Sequence, residues 1–178
     1  MELFEAIDKR YSYRGRFGPE GPSTDELRRI LAAGAAAPSG MNGQSASFVA
    51  VTDAGKINAI ADVMSGNPAV ATAGALIVVT MDPQATAHRG FTFGVEDYAA
   101  AVENMLLAVT ALGYATVWID GALRRDNRAE RIAELLAIPP SLPVRVLLPV
   151  GRPVEEGPRK DKKPLAERAY LNRWGAGV

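Results

Sequence analysis

The sequence predicts an α+β or α/β sandwich in which helices cover a sheet, built as one domain with an extended C-terminal arm. Helical and strand-like stretches follow one another as α, α, β, α, β, α, β, α, β, an order that layers helices on a sheet. The 178 residues are 48% hydrophobic, which suits a single globular domain with a sizeable core. From Gly151 the patterning stops. Pro153, Pro158 and Pro164 interrupt a cluster of Arg and Lys, so 151–178 reads as an arm, and neither an internal repeat nor a second domain divides residues 1–178.

Taken in order, Leu3, Phe4 and Ile7 fall at helical spacing and predict a short amphipathic helix ending near Lys9. Residues 11–22 are irregular and rich in Gly and Arg. Ser23-Thr24-Asp25-Glu26 reads as a capping box opening a second helix, with Leu27, Ile30, Leu31 and Gly34 on one face and Pro38 beyond its end. A loop over 39–44 precedes a strand over 47–52, and 56–64 reads as a helix. Ala75 to Met81 is a short β-branched run suited to a buried strand. Tyr98, Ala101, Val102, Met105, Leu106, Val109 and Leu112 recur at three and four, marking a central helix with Gly113 as its stop. A strand over 114–119, a helix over 126–137 closed by Pro139-Pro140, and a strand over 144–150 complete the domain. In the arm, Leu165, Tyr170 and Trp174 suggest packing on another surface.

The composition excludes whole classes of function. With no Cys there is no disulfide, thiolate nucleophile, zinc knuckle or iron–sulfur cluster, and with His88 as the lone histidine a His-rich metal site is excluded. Twenty Lys+Arg balance 20 Asp+Glu, so no bulk charge draws the chain to nucleic acid or to an anionic membrane. The apolar stretch from Ala69 to Met81 is interrupted and falls short of the ~20 residues needed to span a bilayer. The N-terminus has no basic segment followed by an apolar run, so the expectation is a soluble, cytoplasmic protein. The chemistry is expected to come from something bound, with no catalytic side chain and no metal ligand assigned.

No Gly-x-x-x-x-Gly-Lys-Ser/Thr, Gly-x-Gly-x-x-Gly or Gly-x-Ser-x-Gly element is present, so a phosphate would need side-chain cations. Arg10, Ser12 and Arg14 alternate after the first helix and would share one side if that stretch is extended. Two guanidiniums and a hydroxyl make a phosphate clamp, although a solvated helix end fits the same residues. Arg159-Lys160-Asp161-Lys162-Lys163 is either a second cationic source or an exposed basic tail. Ala37-Pro38-Ser39-Gly40-Met41-Asn42-Gly43-Gln44 places two amides, which suit the polar edge of a heterocycle, in what is otherwise an ordinary turn. Ile119-Asp120-Gly121 closes a predicted strand, where sheets commonly place ligands, while Trp118 reads as a core aromatic. Asn104 interrupts the apolar run of the central helix and is expected to cap a buried contact. His88 is expected at the surface.

Taken together and in order, these segments resemble the FMN-dependent nitroreductase family. Arg10-Tyr11-Ser12-Tyr13-Arg14 resembles its Arg-x-Ser-x-Arg/Lys element, and residues 37–44 its Ala-Pro-Ser-x-x-Asn-x-Gln loop. Asn104 to Ala108, continuing through Leu112 to Trp118, is similar to its central helix and following strand. Gly151-Arg152-Pro153 with Lys160 to Leu165 resembles its terminal Gly-x-Pro and Lys-x-Arg elements.

The resemblance implies a three-layer α/β/α sandwich with a mixed, mainly antiparallel sheet, and a homodimer with FMN at the interface and the arm embracing the partner. By position, Arg10, Ser12 and Arg14, with Lys160 and Lys162, would hold the phosphate and ribityl chain, and Tyr11 would join them. Pro38, Ser39, Gly40, Asn42 and Gln44 would approach the flavin, commonly from the other chain, while Ile119, Asp120 and Gly121 would lie by the isoalloxazine. The implied activity is hydride uptake from NAD(P)H and reduction of a nitroaromatic, quinone or similar acceptor in ping-pong fashion. Another flavin reaction (dehalogenation, desaturation, azoline oxidation) and a non-catalytic flavin-binding module are the alternatives.

Four departures are visible. Gln44 is followed by Ser45-Ala46-Ser47 where the family pattern continues Pro-Trp, which opens or reshapes the substrate side. The spacing to Phe17 is one residue longer, Lys162 stands where Arg is common, and the insertion that covers the flavin in longer members is missing.

Overall fold

The computed structural model describes residues 1–88 and 91–178, with the side chains of all of these except 86–88. The expectation that His88 lies at the surface therefore falls outside the described side chains.

The elements are α1 (Leu3–Lys9), α2 (Thr24–Ala35), β1 (Ala46–Val51), α3 (Ala54–Val63), α4 (Pro68–Ala71), β2 (Ala75–Met81), α5 (Pro83–Thr86), β3 (Ala87–His88), β4 (Phe91–Thr92), α6 (Gly94–Ala111), β5 (Ala115–Thr116), α7 (Arg128–Leu135) and β6 (Val144–Gly151). The main sheet has the order β1-β2-β6-β5, every neighbouring pair antiparallel. The strands are thus antiparallel where a mixed, mainly antiparallel sheet was expected; the one parallel contact is an isolated bridge, Ser12 to Thr116, which sets the segment after α1 beside β5.

Side chains of β2 alternate between two cores, as the period of a strand requires. Leu76 and Val78 join Ile57, Ile60, Val70, Ile132 and Leu147 beneath α3, α4 and α7. Ile77 and Val79 join Ile30, Val102, Met105, Val146 and Leu148 beneath α2 and α6. The result is the three-layer α/β/α sandwich of an α+β protein, and the apolar side chains on both faces of Ala75–Val79 are explained by helices on both sides of the sheet.

Local sequence sets the helix ends. The Ser23 hydroxyl accepts from Glu26 N–H while Glu26 accepts from Ser23 N–H, closing the expected capping box. Gly113 takes a positive φ of 81°, which a residue without Cβ adopts freely, and ends α6. Asn104 Nδ2 donates to Ala33 O at 3.0 Å, tying α6 to α2 through a half-buried contact where a buried one was expected.

Several boundaries differ from the sequence reading. The strand expected over 114–119 pairs only at Ala115–Thr116; the ladder lapses and resumes at the Ile119–Leu147 bridge. The helix expected from Asp126 begins at Arg128, because Asp126 and Asn127 are left-handed, with φ of 54° and 51°. The central helix starts at Gly94, before its apolar period becomes visible. The short α4 escaped notice, although Asn67-Pro68 supplies both its cap and its first-turn proline.

Two apolar sets stay exposed among the described residues. Helix α1 forms as expected, yet Leu3, Phe4 and Ile7 are exposed and only Ala6 is buried. In the arm, Leu165 and Trp174 are exposed, and the Tyr170 ring packs on that of Trp174 at 4.6 Å. Among the described residues no helix is long and apolar enough to cross a membrane.

Candidate functional site

The segment after α1 runs extended from Arg10. Tyr13 is buried and Tyr11 half-buried, their rings meeting edge-on at 6.2 Å, so this side of the segment is committed to the core. Arg10, Ser12 and Arg14 take the alternate positions. Arg10 Nε lies 3.5 Å from Glu103 Oε1 on α6, Ser12 bridges Thr116, and the Arg14 guanidinium donates to Ser12 O at 3.3 Å.

Arg14 opens onto a cavity of about 230 Å³ whose wall also contains Asn67, Trp118, Ile119, Asp120 and Gly121. Four residues singled out in sequence, Arg14 and Ile119–Gly121, thus come together. The Ile119 N–H is spent on Leu147 O at 3.1 Å. The next two, from Asp120 and Gly121, have no partner among the described residues, leaving a pair of backbone donors beside a guanidinium. Asp120 is held from outside: its two carboxylate oxygens accept from Arg124 Nε at 2.7 Å and Nη2 at 2.8 Å. That pairing raises the Arg124 guanidinium above its ordinary value.

The arm returns to this region. Arg159 donates to Asp8 O at 3.0 Å and lies over the Tyr11 ring at 5.3 Å, so the basic run containing Lys160 and Lys162 starts beside the Arg10–Arg14 segment. Both lysines are exposed. Among the described residues Arg14, Lys160 and Lys162 have no carboxylate partner, which leaves their charge for another anion.

The Pro38–Gln44 loop is built separately. It follows α2 and turns through a single 3-10 turn at Gly40–Asn42, with Met41, Asn42 and Gln44 at φ of 51°, 57° and 48°. Ser39 Oγ accepts from Gln44 N–H at 3.0 Å. A cavity of about 130 Å³ lies beneath it, walled by Pro38, Ser39, Gln44, Ser45 and Asp97. It shares no residue with the Arg14 cavity, so a single chain does not bring its two groups of expected site residues together.

Sequence reasoning missed two residues here. Asn67 reaches the Arg14 cavity from the cap of α4; its Oδ1 accepts from Ala69 and Val70 N–H, and Asn-Pro ahead of an apolar pair was the available signal. Asp97 anchors the Pro38–Gln44 loop, yet in sequence it looks like any acidic residue in a helix first turn. A larger cavity of about 530 Å³ lies between α7 and the start of β6, with Leu123, Ile138, Leu142 and Arg145 in its wall; of the expected site residues only Asp120 reaches it. Among the described residues no cluster of His, Asp or Glu could hold a metal ion.

Comparison with known proteins converges on one family. The family model described as Nitroreductase family matches residues 7–70 and 63–152. A protein of Archaeoglobus fulgidus, provisionally named an NADH dehydrogenase/NAD(P)H nitroreductase, is 30% identical over 154 residues, covering 85% of this chain and 87% of that one. An NADPH-flavin oxidoreductase of Vibrio harveyi is 33% identical over 164 residues, covering 86% and 67%. The crystal structure of a provisionally named nitroreductase of Desulfovibrio desulfuricans, in complex with FMN, has a TM-score of 0.82 at 30% identity over 98% of each chain. With the fold, the ordered motifs and the family model in agreement over most of its length, the chain belongs to the Nitroreductase family.

Proposed function

We propose that the protein is an FMN-dependent oxidoreductase that takes hydride from NAD(P)H and reduces a nitroaromatic, quinone or similar acceptor, working as a homodimer. The observation that carries this reading is the cavity walled by Arg14, Asp120 and Gly121, where the N–H groups of Asp120 and Gly121 have no partner among the described residues. That donor set suits FMN: cations for the phosphate at one end, fixed backbone donors for the polar edge of the ring at the other.

When bound, FMN supplies the ring that accepts the hydride and passes on the electrons; the chain supplies binding, orientation and electrostatics. Arg10, Ser12 and Arg14, with Lys160 and Lys162 from the arm, would hold the phosphate and ribityl chain. Asp120 and Gly121 would offer their N–H groups to the ring, while the Asp120 carboxylate stays engaged with Arg124. Cationic side chains and backbone donors around the ring favour negative charge there, which is the direction hydride acceptance requires. Nicotinamide and acceptor use the same opening in turn, which is the basis for ping-pong kinetics.

At about 230 Å³ the cavity encloses part of a flavin only. In this reading Pro38, Ser39, Gly40, Asn42 and Gln44 of a second protomer close it. The exposed Leu3, Phe4 and Ile7 of α1, together with Leu165, Leu171 and Trp174 of the arm, support that association, since apolar patches of this kind mark interfaces. The test is steady-state oxidation of NADH and NADPH by the FMN-loaded protein, with quinone and nitroaromatic acceptors varied in turn. Parallel double-reciprocal lines are expected; bound FMN with turnover no faster than free flavin would reduce the protein to a binding module.

A further inference from the structure

Asp97 is the one buried carboxylate among the described residues, 3% exposed in the first turn of α6. Burying that charge is unfavourable unless strong donors compensate it. Two do: Oδ1 accepts the Gly40 N–H at 2.7 Å, and Oδ2 accepts the hydroxyl of Ser45, itself 1% exposed, at 2.7 Å. Gly40 lies within, and Ser45 directly follows, the loop whose tip presents Met41 and Asn42 to solvent.

The loop needs such an anchor. Three of the four residues over 41–44 are non-glycine residues in the left-handed region, a geometry that persists only where the surroundings impose it. Gly40 and Ser45 bracket those three residues, so one carboxylate fixes both ends of the strained stretch. Gly40 also lies so close to Phe93 that a Cβ there would collide with the ring, which seats the loop on the start of α6. The second anchor requires the hydroxyl of Ser45, at the first of the positions where this chain departs from Pro-Trp.

We propose that Asp97 is a positioning residue, holding Gly40 and Ser45 on its two carboxylate oxygens and so fixing the Pro38–Gln44 loop in the shape it presents to FMN. This role rests on the reading above that the loop meets the flavin.

The experiment compares wild type with Asp97→Ala, Asp97→Asn, Ser45→Ala and Ser45→Thr by FMN fluorescence titration and, without FMN, by hydrogen exchange of the Gly40–Ser45 amides. Asn can accept from Gly40 with Oδ1 and donate Nδ2 to the Ser45 oxygen, so it retains both contacts without the charge. Asp97→Ala should weaken FMN binding by about tenfold or more and speed exchange at Gly40 by a similar factor, in line with lost charge-assisted bonds. Amides of β2 should stay protected. Asp97→Asn and Ser45→Thr should remain within about threefold of wild type, and Ser45→Ala should fall between. If Asp97→Ala fails to fold, Ser45→Ala against Ser45→Thr carries the same comparison with one bond at stake. Faster loop exchange with unchanged FMN affinity would overturn the positioning role alone. A wild type that takes up no FMN would overturn the functional reading and this role with it, while the exchange data would still report whether the clamp exists.

Discussion

Arg159 donates a 3.0 Å hydrogen bond to the carbonyl of Asp8, 151 residues earlier in the chain, with its guanidinium 5.3 Å over the ring of Tyr11. This contact brings the two basic stretches of a chain with zero net charge to one place. In the function proposed above, that proximity lets Arg14, Lys160 and Lys162, which have no carboxylate partner among the described residues, act on one phosphate.

The first prediction concerns that site. Replacing Arg14 with Ala should weaken FMN binding by about 1.5–3 kcal/mol, the range for hydrogen bonds to charged groups, and should flatten the dependence of affinity on salt. Fluorescence titration at two ionic strengths measures both. Unchanged affinity would remove Arg14 from the phosphate site.

A second prediction follows from the arm. Ending the chain after Pro153 removes Arg159, Lys160 and Lys162 together with the exposed Leu165 and Trp174, and should leave a folded but colourless monomer. Sedimentation and visible absorbance report the two losses separately. A truncated dimer that stays yellow would contradict the role given to the arm.

Helix α1 yields a third. Phe4 is 79% exposed, so within one chain Phe4→Ser should cost no more than about 0.5 kcal/mol. At an interface the same change should shift the monomer–dimer equilibrium by an order of magnitude or more. Thermal unfolding of the dilute protein and sedimentation equilibrium distinguish the two; a variant that dimerises like wild type would place the interface elsewhere.

The capping box sets the fourth. Glu26 Oε2 accepts from Ser23 N–H at 2.8 Å, from the Ser23 hydroxyl at 2.8 Å and from Tyr114 OH at 3.0 Å. The Ser23 bonds first, and that from Tyr114 after them, hold its carboxyl below the ordinary carboxylate range. A depressed pKa contributes stability that is present above the unfolded value and lost as pH falls through the folded one. Glu26→Gln should therefore lower the melting temperature at neutral pH, with the difference from wild type closing as the pH falls through and below the ordinary carboxylate range. A difference independent of pH would show that the charge is irrelevant.

Much of this was legible in the sequence because local rules decide it. The Ala75–Met81 strand, the capping box at Ser23 and the stop at Gly113 each follow from the chemistry of neighbouring residues. What escaped depended on contacts distant in sequence or on special backbone conformations. The strand over 114–119 thins to two paired residues although its composition is continuous. Asp126 and Asn127 delay α7 by adopting left-handed geometry. Asp97 becomes a loop anchor only once folding sets it against Gly40 and Ser45, 57 and 52 residues away. Within the candidate site, Arg14 and Ile119–Gly121 meet in one cavity, but the Pro38–Gln44 loop stays apart from them. Periodicity in a single chain carries no information about a surface that a second copy completes.

The most direct measurement is the visible spectrum of the purified, FMN-supplemented and desalted protein, before and after anaerobic addition of NADH or NADPH. The expected result is a protein-bound flavin band that bleaches on addition of the nucleotide and returns when a quinone is admitted. A protein that emerges colourless, or one whose bound flavin neither nucleotide can bleach, would contradict the assignment.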